Sequence, residues 1–334
     1  MATWGEILEE LGKTPTGRDF DGVRRKYLVA AHNYTGRNVI LYATRFTQGD
    51  PGIPPQVLSI VDEDVQGLME VTHNLTQPDL DLILHSPGGS IAAAEAVVSY
   101  LRSKFRHIRV VVPHLAMSAA TMIACAADVI VLGKHSFLGP IDPQVSINTA
   151  LGPRMVPAQA IVEQFAQAQK ECSDPKKMPA WLPMLSQYGP DLLVQCEHAS
   201  RLSLELVTDY LESYMLAEQK GSRRKAQRIA KWLSEHKNFM THGRHISRGR
   251  LEEQGLVIEH LEADQKQQDL FLSIFHATTH TFNGSPCIKI IENQLGKSFI
   301  KQANVVPPPA APHASPEAAS GPKKSARKGR SAKK

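Results

Sequence analysis

The sequence predicts an α/β fold, a largely parallel sheet with helices packed on it, and three observations carry that expectation. Strand-like apolar runs and helix-like runs alternate regularly from residue 37 to residue 132. Within that stretch, "LHSPGGSIAAAEAV" (84–97) is a hydrophobic strand ending that runs through two glycines into a helix of small residues. From about Pro157 to Lys237 the signal turns mostly helical, with charges spaced around the faces.

Taken in order, "WGEILEEL" (4–11) reads as a short amphipathic helix, and "RNVILYATRF" (37–46) as a strand of alternating and then continuous apolar character. A Gly/Pro-rich loop, "TQGDPGIPP", follows. "VQGLMEVTHNL" (65–75) is the next expected helix and "DLDLILHS" (79–86) the next strand, before the glycine turn and the helix "IAAAEAVVSYLRSKF" (91–105). "IRVVVPH" (108–114) is a strand, "SAATMIACAA" (118–127) a buried small-residue helix, and "DVIVLG" (128–133) another strand. The long apolar stretch from Ile108 to Leu132 is interrupted by Pro113, His114, Ser118 and Asp128, so it reads as core and not as a membrane span.

The formal net charge is +5, but residues 304–334 hold seven Lys/Arg against the single acid Glu317. The rest of the chain is close to neutral. That Pro/Ala/Ser-rich and then Lys/Arg-rich tail has almost no large apolar residues and is expected to be disordered. Weak contact with an anionic surface is the most such a tail offers, and specific nucleic-acid binding is not expected. Cys125, Cys172, Cys196 and Cys287 lie far apart with no CxxC pair, which suits a reducing compartment and excludes a zinc knuckle or disulfide framework. "MATWGEILEELGK" is acidic where a secretory signal is basic and then apolar. The expected location is therefore cytoplasmic, with peripheral membrane contact through the tail.

Two motifs carry chemistry. "SPGGS" supplies adjacent amides at Gly88 and Gly89, beside residues small enough for a substrate carbonyl to approach, and this suits an oxyanion hole. It lacks the Lys and Ser/Thr of a P-loop and the spacing of a dinucleotide fingerprint. "VVVPHLAMSAATMIACAADVIVL" places Ser118 after a β-run at the start of a helix, among Ala119, Ala120 and Thr121. A hydroxyl there is either a helix cap or a nucleophile left uncovered by its neighbours.

Together with "FLGPIDPQ", "CEHASRLSLELVTDYLESYM", "THGRHISRGRLEEQGLVIEHLEADQ" and "HATTHTFNGSPCIKIIENQLGKSFIKQ", these motifs resemble the serine dehydrogenase proteinase family. That family is related to signal peptide peptidase A and to the Clp protease/crotonase superfamily. The resemblance runs over roughly residues 37–303. It implies a Clp/crotonase-like repeated ββα core with additional C-terminal helices, Ser118 as nucleophile, and Gly88 and Gly89 as oxyanion-hole residues. The chain then divides into an N-terminal helical extension (1–36), the peptidase-like domain with a helical insertion (37–260), a C-terminal segment (261–303) and the tail (304–334). Related peptidases carry Gly-Gly after the serine where this chain has Ala119-Ala120, whose methyl groups narrow the approach.

A serine needs a base within hydrogen-bond reach. Asp142 falls near the place of the Clp-type histidine, and Lys170 falls at the distance of the lysine in the signal-peptide-peptidase branch. His114, His135, His242 and His245 lie inside family-like motifs and compete for the role. Asp142, with Gln144, can instead orient a loop beside the nucleophile or hold a subunit contact. His276 and His280 share one helix face, but "HATTH" lacks the glutamate of HExxH, and neither metal nor cofactor is expected. The expected function is a serine peptidase acting on protein or peptide substrates. The alternative is a non-hydrolytic crotonase-like acyl-thioester site or an oligomeric scaffold. A homo-oligomer is expected, with the apolar stripe between Leu192 and Trp232 as the packing surface.

Overall fold

The computed structural model describes residues 3–13, 18–49, 52–149 and 152–303; the tail expected to be disordered lies outside them. α1 (Trp4–Gly12) is closed by a reciprocal Thr3–Glu6 capping box, and α2 (Phe20–Thr35) ends at the left-handed Gly36. β1 (Asn38–Thr44) leads through α3 (Pro55–Leu58) and α4 (Asp64–Thr72) to β2 (Asp79–His85), then α5 (Ile91–Lys104) and β3 (His107–Val112). There follow β4 (Leu115–Ala116), α6 (Ala119–Cys125), β5 (Val129–Leu132), β6 (Phe137–Leu138), and an antiparallel hairpin of β7 (Gln144–Thr149) and β8 (Gly152–Pro157). The helical region comprises α7 (Ala158–Glu171), α8 (Met178–Leu185), α9 (Leu192–Ser213) and α10 (Ser222–Ser234). β9 (Ile246–Ser247), α11 (Arg248–Gln254), β10 (Ile258–His260), α12 (Gln265–Gly284), β11 (Cys287–Asn293) and β12 (Ser298–Gln302) complete the order.

The main sheet is mixed, with strand order β10-β5-β3-β2-β1-β11-β12. The first five run parallel, and β11 and β12 join antiparallel at one edge. This is an α/β fold in which both sheet faces are covered, which is why the strands read as continuous apolar runs. Ile40, Leu82, Leu84 and Val110 point to a core shared with α4, α5, α6 and α9–α11. Val39, Leu41, Ile83 and Val111 point the other way, against Leu28 of α2 and Phe271 and Ile274 of α12.

Buried charge fixes the register at the start of the parallel strands. Asp81, fully buried, takes Arg37 Nε at 2.7 Å and Arg109 Nε at 2.8 Å, tying together the starts of β1, β2 and β3. The opposite, C-terminal ends of the strands carry the turns that build the site, as is general for such sheets.

One expectation needs correcting. The apolar stripe of α9 and α10 does not face outward: Val207, Leu211, Ala226, Ile229, Ala230 and Leu233 are buried in the chain's own core. Its periodicity records intramolecular packing. Among the described residues no helix is long and apolar enough to cross a membrane.

Candidate active site

The site begins where β2 and β4 lie side by side. Ser86 N donates to Leu115 O at 3.1 Å and Met117 N to Ser86 O at 3.0 Å, so the two turns that follow are held against each other. Gly88 permits this approach. At its φ of +94°, a Cβ would stand 2.5 Å from Met117 O and 2.7 Å from Ser118 Cβ. On the far side of the turn, Ile60 N donates to Gly88 O at 2.7 Å and Ser90 N to Ile60 O at 3.0 Å. A Cβ on Gly89 would meet Ile60 N and O at 2.4 Å.

The Ile60 clamp is itself anchored by a buried ion pair. Lys289 Nζ lies 2.7 Å from Asp64 Oδ1 and donates to Ser59 O at 2.8 Å, while Tyr42 Oη and Val61 N both donate to Asp64 Oδ2. Neither charged side chain is exposed. Burial holds the Lys289 ammonium below its ordinary range, against the opposing pull of Asp64.

Ser118 occupies the N-cap position of α6, yet its side chain makes no cap hydrogen bond. Its backbone sits at φ +53°, ψ −121°, which non-glycine residues rarely adopt. Such strain persists only where surrounding contacts impose it. Here Ala120 N on Met117 O and Thr121 Oγ1, 2.8 Å from Ala116 O, fix the turn from below.

The amides divide differently from the sequence expectation. Gly88 N already donates to Ser86 Oγ at 3.2 Å, so this glycine contributes close approach and not a spare donor. No hydrogen bond among the described residues uses the amides of Gly89 or of Ala119, the residue after the serine. Both are unused donors at the two turns that line the cavity.

Gly88, Gly89, Ser118, Met122, Ile141 and His242 line one cavity of about 690 Å³, together with Gln144 and Met155 of the hairpin. His242 Nδ1 lies 2.8 Å from Oδ1 of Asp142, whose side chain is 2% exposed. A carboxylate can only accept, so Nδ1 carries the proton in this contact. Asp142 is also bonded by His236 Nδ1 at 2.9 Å and Gln144 Nε2 at 3.1 Å. Its segment is held from the helical layer, by Ile141 N on Leu233 O at 3.0 Å and Ser203 Oγ on Ile141 O at 2.9 Å.

The structure thus brings Ser118, Gly88, Gly89 and Asp142 together and leaves Lys170 out. Lys170 is exposed in the last turn of α7, roughly 18 Å along the helix axis from Ala158, and does not line the cavity. Of the competing histidines, only His242 lines it. His85, which the motifs did not single out, is fully buried between Phe46, Phe275 and His114, and burial pushes its imidazole down to about 3. His245 stacks on Phe137, and His280 bonds Trp4 O at 2.9 Å. No group of three metal-ligating side chains is found among the described residues. His236 was likewise not singled out, and no spacing rule in the sequence ties it to Asp142.

Residues 24–187 match the family model of the ClpP-like SDH-type serine proteinases. The chain is also similar to two uncharacterized proteins of Methanocaldococcus jannaschii. One is 28% identical over 208 residues, covering 62% of this chain and 63% of the relative. The other is 26% identical over 207 residues, covering 62% and 61%. This chain therefore spans less than two thirds of the length of these curated relatives.

Proposed function

With residues 24–187 belonging to the ClpP-like SDH-type serine proteinase family, we propose that this chain is a serine peptidase on a Clp/crotonase-like core, with Ser118 as nucleophile, His242 as base and Asp142 as the group that orients it. One observation carries the reading: Ser118 and His242 line the same cavity, and Nδ1 of His242 rests on a buried carboxylate.

In the reaction, Ser118 Oγ attacks the substrate carbonyl carbon and its proton passes to His242 Nε2. Asp142 stabilises the imidazolium. The oxyanion is met by the Gly89 and Ala119 amides, a preorganised pair whose loss of one member typically costs 10²–10³ in rate. The tetrahedral intermediate collapses, the amine leaves with the proton from His242, and water then hydrolyses the acyl-enzyme by the same path in reverse. Gly88 supports the site by letting the two turns touch.

The test is intact-mass analysis after treatment with a fluorophosphonate. The wild type gains one adduct, Ser118→Ala gains none, His242→Asn labels at least 10²-fold more slowly, and Lys170→Ala labels at the wild-type rate. An adduct on Ser118→Ala, or wild-type labelling of His242→Asn, overturns the assignment. We further propose protein or peptide substrates and a homo-oligomeric assembly, the latter checked by light scattering.

A further inference from the structure

Asp142 is shared between two imidazoles. His242 and His236 approach opposite oxygens of one buried carboxylate through their Nδ1 atoms, at 2.8 and 2.9 Å. Both are partly exposed, 27% and 23%, whereas the carboxylate is 2% exposed. His236 sits in the turn after α10, its own backbone N donating to Gln159 Oε1 of α7 at 3.1 Å. Both imidazoles therefore stand on one short segment, residues 236–242, and both meet the same carboxylate.

One carboxylate carries one negative charge. While both rings are neutral, each gives Asp142 an N–H and each keeps an unprotonated Nε2. Attack by Ser118 turns His242 into an imidazolium, which draws on the whole charge of Asp142. A proton already on His236 claims that charge first, and the two cations repel across a common partner. The other ionic groups beside this carboxylate do not replace it. Lys231 and Lys237 both pair with Glu235, at 3.9 and 3.5 Å. From α9, Glu197 and Arg201 line the cavity on the α7–α10 side of Asp142, where α7 offers the neutral Gln159.

We propose that His236 is a positioning residue acting through Asp142: neutral, it clamps the carboxylate against His242, and protonated, it withdraws the counter-charge that His242 needs. The proposal rests on His242 being the base for Ser118. Histidine changes charge between pH 5 and 8, so the device is expected on the acid side of the activity profile.

The experiment measures the fluorophosphonate labelling rate of Ser118 from pH 5 to 8.5. In that step the Oγ–P bond forms, P–F breaks, fluoride leaves and the serine proton goes to His242. Two neutral imidazoles are required in the wild type, and repulsion across the shared carboxylate keeps a second proton off, so its rate falls about tenfold per pH unit once either ring has taken one proton. His236→Asn keeps a donor where Nδ1 stood but cannot ionise. With only His242 left to ionise, its rate falls with the same slope but from a lower pH, so that at pH 5 it labels about twofold or more faster relative to wild type than at pH 8, where it stays within threefold of wild type. His236→Gln is the substitute if the asparagine variant melts early in a thermal scan. An acid limb in the folded variant that superimposes on the wild-type limb overturns the inference. His242→Asn run alongside separates the two readings. Its labelling at the wild-type rate defeats the base assignment itself, whereas loss of labelling there with an unchanged limb in His236→Asn defeats only the role of His236.

Discussion

Gly88→Ala tests whether the two turns work as a unit. The added methyl lies 2.5 Å from Met117 O, 2.7 Å from Ser118 Cβ and 2.8 Å from Ala119 N, all parts of the nucleophile turn that cannot rotate away. Ordinary contact begins near 3.4 Å. The turns must therefore part by about 0.9 Å, and a displacement of that size in a positioned site typically costs about 10² in rate. Moving Gly89 relative to Ala119 also splits the oxyanion donors, for which about 10²–10³ is typical. The two effects share one cause, so the expected loss is about 10²–10³ overall. A φ of +94° adds about 1–3 kcal/mol of strain on any L side chain. The assay is fluorophosphonate labelling of Ser118 beside a thermal melt. Gly152→Ala is the control: its φ is +102° but no atom of the described residues beyond its chain neighbours lies within 4 Å of the new methyl, so it carries strain without displacement among them. We expect both variants to lose a few degrees of Tm and only Gly88→Ala to lose labelling. Wild-type labelling of a folded Gly88→Ala refutes the argument that contact between these turns sets the site.

Two further predictions concern buried charge. Lys289→Met leaves Asp64 without its cation in a site with no solvent access, and breaking such a pair typically costs about 3–5 kcal/mol; denaturant unfolding that matches wild type would sink the claim that this pair anchors the Ser59–Ile60 clamp. His85 gives an acid dependence. Its folded-state value of about 3 lies below the ordinary 6.5, so the unfolded chain binds the proton and stability rises with pH between those values. Lowering the pH from 7 to 5 should remove about 2 kcal/mol through this residue, and His85→Phe should shrink the measured loss by about that amount; an identical loss in the variant contradicts the assignment.

Much of the sheet was legible because burial on both faces leaves a strong mark. "DLDLILHS" and "DVIVLG" became β2 and β5 to within two residues at either end. β11 was not read as a strand, although all seven of its residues are buried. Its sequence, "CIKIIEN", is interrupted by Lys289 and Glu292. Those charges are tolerated because Asp64 and Arg24 meet them inside, and a partner more than two hundred positions away leaves no local signal. The hairpin of β7 and β8 was missed although "QVSINT" alternates polar and apolar residues; its partner "GPRMVP" does not alternate and carries two prolines, so no pair of strands was read. At the site, the motifs located both turns but assigned the amides by adjacency. Only geometry showed Gly88 N committed to Ser86 and Ala119 N spare. Counting from Ser118 reached Asp142, which the fold sets against His242, and also Lys170, which α7 carries away from the cavity.

The proposed base lay beyond any count because it arrives on a separate layer. Ser118, Gly89, Ala119 and Asp142 all fall within the family-matched stretch, residues 24–187, whereas His242 and His236 do not. His242 reaches the cavity and both rings meet Asp142 from the segment after α10, whose Leu233 O, with Ser203 Oγ of α9, holds the neighbouring Ile141. The nucleophile turn is fixed by bonds within and between β2, β4 and α6, and Gly139 N, donating to Thr121 Oγ1 at 3.0 Å, joins it to the segment that carries Asp142. The two halves of the proposed machinery therefore depend on different packing. Loosening the helical layer should slow proton transfer while leaving the Ser118 turn intact, a separation of base from nucleophile that a site built wholly on sheet turns would not show.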